Sequence, residues 1–199
     1  MRVKTDERRQ AIMEAAAALF REVGYERTSM AAISARLGGS KATLYSYFKS
    51  KEELFAAVMM ESMGEQADKM IGLLAEPAGD PKSALLAFGE AYLDLVLSDD
   101  VVAMLRVGLV DANHATLGPL LYASGPEHGW DQVACRLALW SSEGLIAVTD
   151  ARLAALQLKG LLEAGLFEPK LYGATPAVDR NAVLSSAVDI FLSAYKPIR

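Results

Sequence analysis

The chain has 199 residues, about half of them hydrophobic, with a formal net charge of −5. That is enough apolar material for a packed core, which excludes a disordered tail. The single cysteine, Cys135, excludes an intrachain disulfide framework.

The charge is unevenly spread. Residues 1–51 hold ten Lys/Arg and five Asp/Glu, whereas residues 52–199 hold ten and twenty. A basic head on an acidic body points to a head that meets a polyanion. The opening MRVKTDERRQ is polar, and no apolar run is long enough to span a bilayer. The expectation is a soluble cytoplasmic protein with no membrane partner.

In chain order, Ile12, Ala16, Leu19, Phe20 and Val23 fall at helical spacing. They predict a first helix from Thr5 or Asp6 to Val23, closed by Gly24. A short second helix follows over Met30–Leu37, with Thr28 or Ser29 as cap and Gly38-Gly39 as breaker. Ser40 caps a third over Lys41–Phe48. Ser50 and Glu53 form a capping box for a long fourth, from Lys51 to about Ala75.

Glu76-Pro77-Ala78-Gly79-Asp80-Pro81 is the clearest break in the chain. Beyond it the pattern predicts helices over 81–97, from Asp99 or Asp100 toward Asn113, over 130–142, 150–167 and 178–195. Residues 114–129 read as irregular, Gly144–Val148 as a connection and Glu168–Pro176 as a loop. No strand pair, repeat or low-complexity tract stands out. The fold class is therefore all-α: an N-terminal three-helix domain, residues 1–51, joined by a long fourth helix to a helical domain, residues 52–199.

Two short helices separated by a glycine-containing turn make a helix-turn-helix, whose second helix enters the major groove of duplex DNA. That helix must be apolar where it packs and small or polar where it meets bases. At about 100° per residue, Leu44 and Phe48 share the packing side, while Ala42, Thr43 and Ser46 collect opposite. Tyr45 and Tyr47 flank that face with hydroxyls, and Lys41, Lys49 and Lys51 add positive charge.

The segments Thr28–Ile33 and Leu37–Leu54 resemble the tetracycline-repressor-like (TetR/AcrR) family of transcriptional regulators over roughly the first 55 residues. The remainder is similar in length and helical plan, most loosely to members with an AefR-like C-terminal domain. The resemblance implies that Thr28, Tyr45, Tyr47 and Lys51 contact phosphates, and that Ser40, Lys41, Ala42, Thr43 and Ser46 face the groove. Lys49 joins this DNA-binding set by its charge. Gly39 stands where Val or Ile is often found, and Tyr47 where His is also common.

The resemblance further implies a homodimer, built through the last two helices, and a small-molecule effector held in the C-terminal domain. The residues suit both. Leu153, Leu156, Gly160, Leu161 and Ala164 form one stripe; Val183, Leu184, Ala187, Val188, Phe191 and Leu192 form another. Together they are the expected dimerisation face, and ordinary intrachain packing is the alternative. Tyr92, Met104, Leu105, Val107, Leu117, Leu121, Trp130 and Trp140 are the candidate lining for an apolar or aromatic ligand, with His114 and His128 as polar anchors. Plain core is the alternative for each apolar residue, and a surface position for His114 and His128.

No GxSxG, glycine-rich phosphate loop or metal-ligand spacing is present. No catalytic residue, metal or cofactor is expected. The combined expectation is a non-enzymatic, homodimeric repressor released from a palindromic operator by its effector. An enzyme is the contrasting class; a pure interaction protein that has lost DNA binding is a third, and Lys and Tyr at the contact positions argue against it. Cys135 is an oxidant sensor or an inert small hydrophobe.

Overall fold

The computed structural model describes residues 2–75, 80–110 and 117–197. Those residues form helices and turns with no strand among them. The helices are α1 (Arg2–Val23), α2 (Met30–Leu37), α3 (Lys41–Tyr47), α4 (Lys51–Gly72), α5 (Pro81–Val96), α6 (Asp99–Val110), α7 (Leu117–Tyr122), α8 (His128–Ser142), α9 (Ala151–Glu163), α10 (Phe167–Tyr172) and α11 (Arg180–Ala194). They fall into two compact units, residues 1–63 with 107–124, and residues 64–106 with 125–199.

Side-chain oxygens set most helix starts. Ser29 accepts from the Ala32 amide, Ser40 from Thr43, Asp150 from Leu153 and Asp179 from Ala182. Asp80 caps α5, where Pro81 occupies the first turn and costs no hydrogen bond. The expected capping box forms with a shift of one residue. The Glu53 amide donates to Ser50 at 3.1 Å, while its carboxylate accepts from the Lys49 amide at 2.7 Å.

In the N-terminal unit, Ile12, Met13, Ala16 and Phe20 of α1 are buried, as are Met30 and Ile33 of α2, Leu44 of α3, and Leu54, Phe55 and Val58 of α4. Phe20, Tyr25 and Phe55 form an aromatic trio with ring centroids 4.7–5.9 Å apart. The turn after α1 is closed by Gly24 at φ +84°, a backbone angle that glycine adopts without a Cβ penalty.

In the C-terminal unit, α9 packs on α8 and α11, and α5 on α9 and α11. Phe88, Tyr92, Leu93, Trp130, Leu137, Trp140, Leu158, Leu162, Val188 and Phe191 share one buried cluster. Polar ties close its edge. Arg180 pairs with Asp94 at 2.6 Å and donates to the Glu90 carbonyl. Arg106 donates to the Lys170 and Leu171 carbonyls at the end of α10, where a cation also suits the helix dipole.

Several boundaries differ from expectation, among them the end of α4, at Gly72 rather than about Ala75. The helix expected over 150–167 stops at Glu163, because Gly165 turns the backbone into the left-handed region at φ +70°. A separate short helix, α10, then occupies part of the expected loop. Residues 117–129 are ordered as α7, a π-helical turn over Ala123–Glu127 and the start of α8. α1 begins at Arg2 rather than at Thr5 or Asp6.

Candidate nucleic-acid interface

The α2–turn–α3 segment is held by its own polar groups. Gly38 takes the left-handed conformation at φ +62°, and its amide donates to the Ala35 and Ser34 carbonyls. The buried Ser34 hydroxyl reaches across the turn to the Gly39 carbonyl at 2.9 Å. The turn is thereby fixed before α3 begins.

α3 presents the two faces its sequence demands. Leu44 and, at its C-cap, Phe48 are buried. Lys41, Ala42, Tyr45 and Ser46 are exposed, Tyr45 by 49%, while Thr43 and Tyr47 are half-buried. Ser40 is exposed and caps the helix, with its hydroxyl 3.0 Å from that of Thr43. Ser46 donates to the Thr43 carbonyl at 2.6 Å, leaving its oxygen lone pairs outward as acceptors. An exposed strip of small and hydroxylated side chains with a lysine at its head can approach base edges and phosphates.

Two residues of the expected DNA-binding set, Thr28 and Lys51, lie differently. Thr28 is buried, and its hydroxyl donates to the Gly24 carbonyl at 2.8 Å. Lys51 is half-buried; its ammonium lies 4.0 Å from the Tyr25 ring centroid and donates to the Tyr25 carbonyl at 3.1 Å. Lys49 is exposed, with its backbone amide engaged by Glu53. Beside Lys51, the Tyr25 hydroxyl donates to Glu52. Partial burial pushes the Glu52 carboxyl upward, but hydrogen bonds from its own backbone amide, Ser50 and Tyr25 bring it below its ordinary value.

Two α1 arginines that the groove-face reading leaves out stand against this segment. The Arg9 guanidinium lies 5.2 Å from the Phe48 ring centroid and donates to Met13 Sδ. Arg8 reaches the turn at Gly39. Both fall outside the apolar stripe of Ile12, Ala16, Leu19, Phe20 and Val23, and helical spacing does not say which neighbour each meets. The Arg36–Glu22 pair at 2.7 Å joins α2 to α1, and its hydrogen bond holds the Glu22 carboxyl below its ordinary value.

The expected effector lining is divided between the two units. Tyr92, Trp130 and Trp140 are buried in the C-terminal unit, where Met104 is also buried and Leu105 is half-buried. Val107, Leu117 and Leu121 belong to the N-terminal unit. His114 lies outside the described residues. Tyr92 stacks near Phe88 and meets Trp130 edge-on at 5.1 Å, while its hydroxyl donates to Glu163. Burial first, then the Glu163 charge, push its phenol well above the ordinary range. Glu163 is also paired with Lys159 at 2.6 Å. Trp140 Nε1 is buried without a hydrogen-bond partner among the described residues.

The expected dimerisation stripe divides. Leu184, Ala187, Val188 and Phe191 are buried within their own chain, because α11 turns that side toward α5 and α9. Leu153 and Leu156 are exposed, as are Gly160 and Ala164, while Leu161, Val183 and Leu192 are half-buried. Val178 and Ile190, which the sequence reading did not include, are exposed by 45% and 51%. An open groove of about 380 Å³ runs among Leu161, Ala164, Val178, Val183 and Ile190. His128 is exposed beside Gln132, and Cys135 is exposed. Among the described residues there is no metal-binding cluster, and no helix is long and apolar enough to cross a membrane.

Residues 12–58 match the sequence profile described as bacterial regulatory proteins, tetR family. Residues 83–197 match that of the AefR-like transcriptional repressor, C-terminal domain. The HTH-type transcriptional activator FasR of Mycolicibacterium smegmatis is 34% identical over 98 residues, 49% of this chain and 44% of that protein. The chain thus spans under half of that relative's length. A TetR-family regulator from Mesorhizobium loti has a similar structure, with a TM-score of 0.80 at 24% identity over 97% of this chain and 98% of that one. The flavonoid-responsive regulator FrrA superposes with a TM-score of 0.77 at 28% identity, over 98% and 100%.

Proposed function

Because the chain belongs to the TetR family of bacterial regulatory proteins, with an AefR-like C-terminal domain, we propose that it is a homodimeric repressor whose recognition helices hold a palindromic operator, and that a small apolar or aromatic molecule releases it. DNA binding is the family's activity, and one observation carries it to particular residues here. α3 buries Leu44 and Phe48 and leaves Lys41, Ala42, Tyr45 and Ser46 exposed.

In this reading residues 1–51 bind DNA and residues 52–199 bind the effector and the second subunit. Dimerisation uses the apolar side chains of α9 and α11 that stand exposed among the described residues, Leu153, Leu156 and Ile190. Two recognition helices held about one turn of B-DNA apart read successive major grooves of a palindrome. Ligand releases the DNA only if it binds the other spacing more tightly, since equal affinity for both shifts nothing.

The effector class rests on the aromatic cluster of Phe88, Tyr92 and Trp130, with Tyr92 and Glu163 as polar partners inside an apolar core. The name of FrrA, flavonoid-responsive, agrees with an aromatic ligand. An activator is the second reading, favoured by the name of FasR.

The test is a titration of the protein–DNA complex with a flavonoid aglycone and, separately, a medium-chain fatty acid. Loss of DNA affinity with either supports ligand-released repression. Tighter binding supports a corepressed or activating protein, and no effect of either rejects the proposed effector class.

A further inference from the structure

Glycine at position 39 is not required by the backbone. Gly38 has a left-handed φ of +62°, but Gly39 does not lie in that region. Space is what its missing side chain supplies. A Cβ built on Gly39 would stand 2.6 Å from Arg8 Nη2, well inside van der Waals contact. The Arg8 guanidinium therefore occupies the volume that any other residue would claim, at the turn immediately before the Ser40 cap of α3.

Arg8 also differs from Arg9, Arg21, Arg27 and Arg36 of its unit. Arg9 lies over Phe48, Arg21 donates to the Ala17 carbonyl, Arg27 to the Val23 carbonyl, and Arg36 pairs with Glu22. Among the described residues no carboxylate, carbonyl or hydroxyl holds Arg8, although the residue is half-buried. A half-buried guanidinium loses hydration and needs an acceptor to restore it. The turn it reaches lies two residues before Lys41, and residues 37–43 hold no carboxylate, so the local sequence adds a further cation and no counter-charge. A phosphate of a duplex that α3 has entered supplies both acceptor and charge, and a guanidinium suits it in a bidentate geometry.

We propose that Arg8 is a DNA-backbone contact set beside the recognition helix, and that Gly39 admits it. This rests on the DNA-binding reading above. It adds a cation from α1 to an interface otherwise drawn from α3 and its flanks, and it gives Gly39 a function: a larger residue would displace the contact without breaking the turn.

The full-length protein is titrated against its own upstream DNA across a potassium chloride series, as wild type, Arg8→Ala, Arg8→Lys, Gly39→Ala, the Arg8→Ala/Gly39→Ala double variant and Arg21→Ala. Arg8→Ala is expected to weaken binding about tenfold and to reduce the salt slope by about 0.9. Arg8→Lys restores the slope. Gly39→Ala pushes the flexible guanidinium aside and reproduces Arg8→Ala, adding nothing in the double variant. Arg21→Ala, which removes the same charge from the far end of α1, changes the slope less. An unchanged slope for folded Arg8→Ala overturns the proposal, and so do additive losses in the double variant. Wild type that binds no DNA defeats the DNA-binding reading itself, a result distinct from either.

Discussion

Ser34 and Gly39 hold each other twice across the turn between α2 and α3. The Ser34 hydroxyl donates to the Gly39 carbonyl at 2.9 Å, and the Gly39 amide donates to the Ser34 carbonyl at 3.4 Å. The Ser34 side chain is buried, so deleting its hydroxyl leaves a carbonyl short of a donor. Ser34→Ala is expected to cost about 1–2 kcal/mol of stability. Denaturant unfolding checks this through a lower midpoint at unchanged slope.

Lys41 and Lys51 separate a cation that serves only the surface from one that also serves the fold. Lys41 is exposed on α3, whereas Lys51 lies over the Tyr25 ring and donates to the Tyr25 carbonyl. Lys51→Ala should lower stability by about 1 kcal/mol. Lys41→Ala should leave it within about 0.5 kcal/mol and act on DNA affinity. Thermal melts beside DNA titrations of the two variants show whether the division holds.

The helix-turn-helix was the most legible part of the chain. Met30–Leu37 was predicted with its observed bounds, and α3 to within one residue, because Ser29, Ser40 and Gly38-Gly39 are strong local punctuation. What local pattern cannot contain is the long-range partner. Thr28 and Lys51 have the residue types of phosphate contacts, yet the Thr28 hydroxyl donates to the Gly24 carbonyl and the Lys51 ammonium places one of its three donors on the Tyr25 carbonyl. The approach of Arg8 to Gly39 crosses thirty-one positions, and no periodicity reports it. The broad apolar stripe of α11 failed as a guide for a different reason. A helix packed within its chain on one side and apolar on the other reads as a single wide face, so buried Leu184 and Phe191 share the expected set with half-buried Val183 and Leu192, and exposed Ile190 falls outside it.

Glu163 binds two groups at the edge of the C-terminal core, the Tyr92 hydroxyl and the Lys159 ammonium. Tyr92→Phe removes one donor and should cost about 1 kcal/mol. Glu163→Ala leaves both donors without their acceptor and should cost about 3 kcal/mol. Equilibrium unfolding of the two variants tests the ranking, which reverses if Glu163 is held mainly by solvent.

On α11, Ile190 and Leu184 should respond in opposite ways to a charge. Ile190 is exposed by 51% and Leu184 by 8%. Ile190→Asp is expected to give a folded monomer, because a carboxylate in an apolar dimer seam lacks a partner. Leu184→Asp is expected to unfold the domain. Light scattering with circular dichroism separates these outcomes, and a folded dimer for Ile190→Asp would remove that residue from the subunit interface.

The central claim is that the exposed face of α3 reads duplex DNA. The most direct measurement is titration of the full-length protein with its own upstream DNA and with a scrambled duplex of equal length, across a salt series, beside a Lys41→Ala/Tyr45→Ala variant. Tight, steeply salt-dependent preference for the upstream DNA, lost in a variant that stays folded, is the predicted result. Equal binding by wild type and variant, or no binding of either duplex by folded wild type at low salt, would contradict it.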